Sequence, residues 1–253
     1  SNVYKVILNS IYGVFSQIYS PLFDIDHAES VTLSGQAVVK MGSEIVFDYL
    51  KTIGFRGKID DVCIYQDTDS EFFSFKNIFD IKGVKLKDAN NNITPEASDL
   101  IDEFGKVLNV EINKWAITKF NSIDTRYFFK REKICDVAVL QKKKYYILHV
   151  LDSEGSKVDK FLYKGLEVAK SILSKEVKNL IKSIIESAIM SKNRKVANGL
   201  FQQGFETYTN MIPELISSRK KVNNYEKYNN IIDKDGNFGK GTPNHVKSAI
   251  NHN

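Results

Sequence analysis

Apolar and polar residues change their spacing several times along the chain, and each change predicts a different element. Apolar side chains recur at helical spacing from Tyr4 to Tyr19, from Ser30 to Leu50 and from Pro95 to Phe120. Pro21 ends the first stretch, and Thr52-Ile53-Gly54 ends the second. The first half of the chain is therefore predicted to be largely helical.

The spacing becomes strand-like from Arg126 to Leu151, where apolar residues alternate or run together, beginning with Tyr127-Phe128-Phe129. Lys142-Lys143-Lys144 lies near one predicted turn, and Ser153-Glu154-Gly155-Ser156 forms another. A short strand and bend follow from Phe161 to Val168. These segments predict an antiparallel sheet.

Near residue 170 the pattern changes from mixed strand and helix to almost entirely helix, and helical spacing continues from Ser171 to Leu215. A loop is predicted from Asp233 to Thr242, and a short helix begins between His245 and Ile250. The pattern as a whole predicts an α+β fold. An antiparallel sheet with flanking helices is followed by a mostly helical region, with a domain boundary near residue 170.

The segment from Gly57 to Phe75 predicts a hairpin that presents carboxylates at its tip. The apolar runs Val62-Cys63-Ile64-Tyr65 and Phe72-Phe73-Ser74-Phe75 flank the turn Asp67-Thr68-Asp69-Ser70. Two aspartates on a rigidly supported turn suit a hard cation such as Mg²⁺. Taken alone, however, the motif is more typical of an ordinary polar turn.

Composition narrows the class of protein without identifying it. The chain has 253 residues, 42% of them hydrophobic and 26% charged, which is typical of a globular protein with a sizeable core. The net charge of +5 weakly favours anionic binding partners. The isolated Cys63 and Cys135 favour buried free thiols in a reducing compartment. No bilayer-spanning run or signal peptide is visible, so we expect a cytoplasmic protein with no membrane partner.

A second motif lies in the first predicted helix. Lys5, Asn9 and Tyr12 fall on one helical face, at i, i+4 and i+7. A lysine, an amide and an aromatic ring in one stripe could bind a phosphate, a polar group and a base or sugar. The stripe alone fits a solvated surface with a half-buried tyrosine somewhat better.

Together the two motifs resemble a known family. Lys5-Val6-Ile7-Leu8-Asn9-Ser10-Ile11-Tyr12-Gly13, followed by Tyr65-Gln66-Asp67-Thr68-Asp69-Ser70, is similar in order and separation to motifs B and C of the family B DNA polymerases. Lys144-Tyr145-Tyr146 resembles the downstream Lys-x-Tyr element, and Lys164-Gly165-Leu166-Glu167 resembles the element after it. Thr242 to Ile250 resembles a segment of phage-type members. The resemblance covers essentially the whole chain and points to the replicative polymerases of tailed phages, which act in the host cytoplasm.

This resemblance implies a division into polymerase subdomains. Residues 1–20 would be the end of a fingers helix, residues 21–169 the palm, and residues 170–253 part of the thumb. The implied activity is the addition of deoxynucleotides to a primer 3′-hydroxyl by two-metal phosphoryl transfer. The implied partners are primer-template DNA and deoxynucleoside triphosphates.

The resemblance also assigns roles to individual residues. Asp67, Asp69 and Lys5 would be catalytic, and Asp67 and Asp69 would bind the Mg²⁺ ions. The nucleotide site would contain Lys5, Asn9, Tyr12 and Thr68, and the DNA contacts would come from Lys143, Lys144, Tyr146, Lys164 and Gly165.

The chain departs from the family pattern in ways that limit these roles. It lacks the string Asp-x2-Ser-Leu-Tyr-Pro that provides another metal-binding aspartate, and it carries Gln66 where many members have glycine. We therefore expect a C-terminal polymerase fragment that binds Mg²⁺ weakly and does not extend a primer without the missing N-terminal part.

Two alternatives remain open. The chain could be a DNA-binding or assembly subunit of a split polymerase, whose catalysis needs a partner chain. It could also be an unrelated Mg²⁺-dependent nuclease that uses Asp67 and Asp69, although this interpretation leaves the Lys5 motif unexplained.

Overall fold

The structure, a computed structural model, describes residues 2–169 and 173–217, together with residues 238, 242, 246 and 247. The side chains of residues 2–5 and 7–9 are not described. The predicted loop at 233–242 and helix at 245–250 thus lie almost wholly outside the described residues. The chain divides into two compact units, residues 1–162 and 163–253, and each is considered by itself.

The first unit contains four α-helices. They are α1 (Asn2–Ser16), α2 (Ile25–Thr52), α3 (Lys76–Lys82) and α4 (Pro95–Phe120). Helix α2 begins five residues earlier than its apolar spacing predicts, because the Asp24 side chain accepts a hydrogen bond from the His27 amide at 3.1 Å and caps the helix there. Helix α3 lies within a segment whose spacing predicted no helix.

Among the residues that the structure describes, five strands form two small antiparallel sheets, which confirms the α+β prediction. Strands β1 (Cys63–Asp67) and β2 (Ser70–Phe73) pair antiparallel as a hairpin. Strands β3 (Lys133–Lys142), β4 (Tyr145–Ser153) and β5 (Ser156–Lys164) form a second sheet in the order β3-β4-β5. The predicted turns at Lys143-Lys144 and Glu154-Gly155 join these strands.

The strand predicted at Tyr127-Phe128-Phe129 is wrong, because β3 begins only at Lys133. Two asparagines of α4 bond this extended segment instead. The Asn109 side chain accepts from the Phe129 amide at 2.7 Å and donates to the Phe129 carbonyl at 3.0 Å. Asn113 donates to the Tyr127 carbonyl at 2.8 Å. Side-chain amides therefore satisfy backbone groups that a neighbouring strand would otherwise bond.

The core of the first unit has two centres. One joins α2, α3 and α4 around fully buried aliphatic residues and phenylalanines: Val46, Leu50, Phe55, Val62, Ile78, Phe104 and Leu108. The other consists of Tyr146, Leu148 and Val150 of β4, against which Tyr65 and Phe72 of the hairpin pack. The second centre fixes the hairpin to the larger sheet.

A buried ionic chain crosses the three-stranded sheet. His149 of β4 lies between Asp136 Oδ1, 2.5 Å from its Nδ1, and Asp159 Oδ1, 2.8 Å from its Nε2. Lys87 Nζ contacts the other oxygen of Asp136 at 2.7 Å. Burial alone would raise the pKa of Asp136, but Lys87 and His149 outweigh it and hold the pKa below the usual range. The buried Asp136 carboxylate thus lies between a lysine and a histidine.

Within residues 163–169 and 173–217, the second unit contains three α-helices in the region that the spacing predicts to be helical. They are α5 (Lys175–Ser191), α6 (Arg194–Thr209) and α7 (Pro213–Ile216). The first break occurs where Lys192 adopts a left-handed φ of 49° and the Asn193 side chain accepts from the Lys195 amide at 2.9 Å.

Helices α5 and α6 approach each other closely. A Cβ atom at Gly204 would lie 2.0 Å from Ile184 Cδ1, so a larger residue at this point of α6 would require the Ile184 side chain to move. Within residues 2–169 and 173–217, no helix is both long and apolar enough to span a lipid bilayer.

We expect Asp136→Asn to lower the free energy of unfolding by about 3–5 kcal/mol, because it breaks a buried ion pair and leaves Lys87 and His149 without their carboxylate. Urea denaturation measures this loss. Asp159→Asn is the matched control, since the Asp159 side chain is 81% exposed and its pair should contribute less. If Asp136→Asn and Asp159→Asn lowered the free energy of unfolding equally, the buried Asp136 pair would not be the more stabilising of the two.

We expect both thiols to resist alkylation in the folded protein. Burial raises the pKa of Cys135 to about 11, and burial also raises the pKa of Cys63. At pH 8, a cysteine with a pKa of about 11 has a thiolate fraction ~100-fold lower than one with the ordinary pKa of 9.0. The thiolate is the form that reacts with the alkylating reagent. Iodoacetamide labelling followed by mass spectrometry, with the urea-unfolded chain as control, measures the rates. Labelling of native Cys135 at the unfolded rate would contradict the prediction.

Candidate active site

The hairpin places its two aspartates on a tight turn, as the sequence predicts. Asp67 ends β1 and pairs with Ser70 at the start of β2. The Asp69 amide donates to the Asp67 carbonyl at 2.7 Å, and the Ser70 hydroxyl donates to the same carbonyl at 3.1 Å. Thr68 has a left-handed φ of 61°, which is uncommon for a β-branched residue. The turn is therefore held in a strained but well-bonded conformation.

The two carboxylates have different surroundings. Asp67 is only 8% exposed, whereas Asp69 is exposed to solvent. The Thr68 hydroxyl donates to Asp67 Oδ1 at 3.1 Å, and Lys143 Nζ lies 3.3 Å from the same oxygen. Burial alone would raise the pKa of Asp67, but these hydrogen bonds and the charges of Lys143 and Lys144 outweigh it and lower the pKa. Asp67 is thus an anionic, partly enclosed carboxylate, and Asp69 faces the solvent.

The turn between β3 and β4 lies beside the aspartate turn. Lys144 adopts a left-handed φ of 66°, and its amide donates to the Tyr65 hydroxyl at 2.7 Å. The Tyr65 ring packs against Phe72 and Tyr146, with centroids 4.9 Å and 5.6 Å away. Phe72 and Tyr146 are themselves 5.3 Å apart, edge to face. This aromatic triad joins the lysine turn to the aspartate turn.

Several predicted site residues are therefore brought together, and others are not. Asp67, Thr68, Lys143, Lys144 and Tyr146 converge, although Tyr146 is only 8% exposed and lies inside the aromatic triad.

The residues predicted on the first helix are less well defined. Lys5 and Asn9 fall on α1, but their side chains lie outside the described residues, and Tyr12 is 43% exposed. Among the side chains that the structure describes, no hydrogen bond or ion pair joins α1 to the hairpin.

The remaining predicted DNA contacts belong to the second unit. Lys164 ends β5, and Gly165 follows it with a left-handed φ of 74°, which glycine adopts readily.

Sequence reasoning missed a polar cluster behind the aspartate turn. Glu71 of β2 accepts hydrogen bonds at Oε1 from the Ser43 hydroxyl, at 2.8 Å, and from the Gln66 amide, at 2.9 Å. Burial raises the pKa of the Glu71 carboxyl, and these two hydrogen bonds act against the rise. A glutamate on a short strand, directly before two phenylalanines, was the available signal.

The oxygen donors of the turn match the chemistry of Mg²⁺, which prefers carboxylates and keeps several waters. They amount to two carboxylates, those of Asp67 and Asp69. Across the described parts of the chain, no group of three or more His, Cys, Asp or Glu side chains is placed to hold a metal ion. The turn thus fits a partial Mg²⁺ site.

Comparison with known proteins identifies the family of this chain. A family model described as DNA polymerase family B matches residues 2–235. The DNA-directed DNA polymerase of Escherichia phage RB69 is 26% identical over 98% of this chain, and that of Enterobacteria phage T4 is 23% identical over 98%. The DNA polymerase of Phaeocystis pouchetii virus is 26% identical over 55% of the chain.

These relatives are much longer proteins. The chain spans 28% of the length of the two phage polymerases and 13% of that of the Phaeocystis virus polymerase. The family model nevertheless matches almost the whole chain and includes both the α1 motif and the aspartate turn. The chain belongs to DNA polymerase family B.

Proposed function

We propose that this chain provides part of the catalytic centre and part of the DNA-binding surface of a DNA-directed DNA polymerase. One observation carries the proposal: in a family B chain, the Asp67-Thr68-Asp69 turn lies against the lysine turn, with Lys143 Nζ 3.3 Å from Asp67. Residues 1–20 are then the end of a fingers helix, residues 21–169 the palm and residues 170–253 part of the thumb.

Asp67 and Asp69 are the side chains that would hold catalytic Mg²⁺. When bound, the metal stabilises the charge on the attacking and leaving oxygens of nucleotidyl transfer. The exposed Asp69 is the more accessible ligand, and the enclosed Asp67 stays anionic because of its hydrogen bonds. Lys143 offsets the negative charge of Asp67 and keeps two neighbouring carboxylates compatible on one turn.

The remaining assignments follow the family resemblance. Thr68 shapes the turn, and the α1 residues Lys5, Asn9 and Tyr12 line the nucleotide pocket. Lys143 and Lys144 contact DNA phosphates, since lysine turns bind the backbone without reading sequence. Tyr146, Lys164 and Gly165 are the other residues assigned to DNA contact, and Tyr146 also supports the lysine turn through the aromatic triad.

A second candidate function is a DNA-binding or assembly subunit of a split polymerase. It is favoured by the donor count, because the described residues offer two carboxylates where a two-metal centre needs more. In this case the aspartate turn would be completed by a partner chain.

We expect no template-directed extension by the 253-residue chain alone, because its partial carboxylate set should bind Mg²⁺ weakly. A longer form that also contains the missing Asp-x2-Ser-Leu-Tyr-Pro motif should extend a labelled primer. In that form Asp69→Asn should reduce extension at least ~100-fold, the scale of losing one preorganised electrostatic contact. Asp80→Asn, at an exposed position of α3, is the control. Efficient extension by the short chain would contradict the expected incompleteness. Full activity of Asp69→Asn would contradict the catalytic role of the turn.

We expect binding to primer-template DNA to weaken steeply with salt, because phosphate contacts release counterions. Lys144→Asn removes one charge and tolerates the left-handed backbone at this position. It should make the slope of log K against log salt shallower by about one unit. Fluorescence anisotropy measures the slope. Lys114→Ala, at a lysine paired with Glu111 on α4, is the matched control. An unchanged slope for Lys144→Asn would remove this residue from the DNA surface.

A further inference from the structure

The polar cluster behind the aspartate turn connects three elements. Gln66 of β1 and Glu71 of β2 are directly paired across the hairpin, and Gln66 immediately precedes Asp67. Gln66 Nε2 donates to Glu71 Oε1 at 2.9 Å and also bonds Ser43 Oγ at 2.5 Å. Ser43 is buried on α2, and its hydroxyl donates to Glu71 Oε1 at 2.8 Å. The strand that carries Asp67 is therefore bonded to a helix of the core.

The protons available allow all these hydrogen bonds at once. The Gln66 amide has two N–H groups, one for Ser43 Oγ and one for Glu71 Oε1. The Ser43 hydroxyl donates to Glu71 Oε1 at 2.8 Å. The Gln66 amide and the Ser43 hydroxyl thus share Glu71 Oε1 as their acceptor. Loss of this one acceptor leaves an amide and a hydroxyl without their partner.

The packing around Glu71 is specific to its carboxyl group. A Cβ atom at Gly42 of α2 would lie 3.0 Å from Glu71 Oε2 and 3.3 Å from Phe129 Cζ. Glycine inside a helix is destabilising relative to alanine, so its presence here accommodates the carboxyl. Glu71 Oε2 is buried and has no hydrogen-bond partner among the described residues. The bonds at Oε1 therefore fix the position of the group.

We propose that Ser43, Gln66 and Glu71 form a polar clamp that holds the aspartate turn at a fixed position on α2. Glu71 is a positioning residue in this arrangement: it acts on Asp67 through Gln66 and contacts no substrate. The inference rests on the proposed function in one respect: that the aspartate turn, which the clamp holds, is catalytic. The clamp itself is a property of the 253-residue chain.

Amide hydrogen exchange of the full 253-residue chain tests the clamp. Glu71→Leu, which removes the acceptor at similar volume, should speed exchange of the Asp69 amide at least ~10-fold, because local opening of the turn becomes easier. Ser43→Ala should act in the same direction with a smaller effect. Glu71→Gln should recover most of the protection, since its amide oxygen accepts the same bonds.

Ile112→Val, in the fully buried part of α4, is the control for general destabilisation. It should affect α4 amides and the turn alike, whereas Glu71→Leu should affect the turn selectively. The clamp is overturned if Glu71→Leu leaves Asp69 exchange unchanged, if its effect spreads evenly into α4, or if Glu71→Gln is as impaired as Glu71→Leu.

Paramagnetic broadening by Mn²⁺ separates the clamp from the proposed function. A clamp that positions metal ligands predicts three results for the Asp69 amide signal. Mn²⁺ should broaden the signal in the wild-type chain, broaden it less in Glu71→Leu, and broaden it again in Glu71→Gln. Absence of broadening at the turn in the wild-type chain would count against the proposed metal role, and the exchange rates would still decide the clamp.

Discussion

The packing of Tyr65 and Phe72 against Tyr146 is the contact on which the candidate site depends. A two-stranded hairpin is marginally stable by itself, and this one gains its support by covering Tyr146, Leu148 and Val150 of β4. The same contact aligns two turns from distant parts of the chain. Because Tyr65 also accepts a hydrogen bond from the Lys144 amide, apolar packing and a directional bond fix the same relative position.

Strand β4 separates two kinds of environment. Its residues alternate between faces, so Tyr146, Leu148 and Val150 point toward the hairpin, while His149 points to the opposite side. There it meets Asp136 and Asp159, and the ionic chain continues to Lys87. The sheet therefore presents an aromatic face to the candidate site and carries Asp136, His149 and Asp159 on the other face. The negative charge of Asp67 is stabilised by its own neighbours, Lys143 and Thr68.

Local patterns predicted the elements that depend on local chemistry. The Asp67-Ser70 turn, the lysine turn and the α+β class all follow from spacing and turn residues. The missed features depend on long-range partners: Asn113 bonds Tyr127 across the chain, and Ser43 reaches Glu71 between α2 and β2. Neither partner is visible in a short window. Motif resemblance located the aspartates, but it could not show that one is enclosed and the other exposed.

The asparagine contacts of α4 affect which substitutions the segment Tyr127-Phe128-Phe129 can tolerate. Large aromatic side chains are usually expected to be the sensitive positions of such a segment. Phe128 is exposed, so its side chain can change in size or polarity with little consequence. Asn109 both donates to and accepts from the Phe129 backbone. Aspartate there would lack the donor, and glutamine would carry the amide one methylene too far. In this part of the fold, two small amides on a helix hold the aromatic segment through its backbone, and Phe128 is the aromatic side chain there that is free to vary.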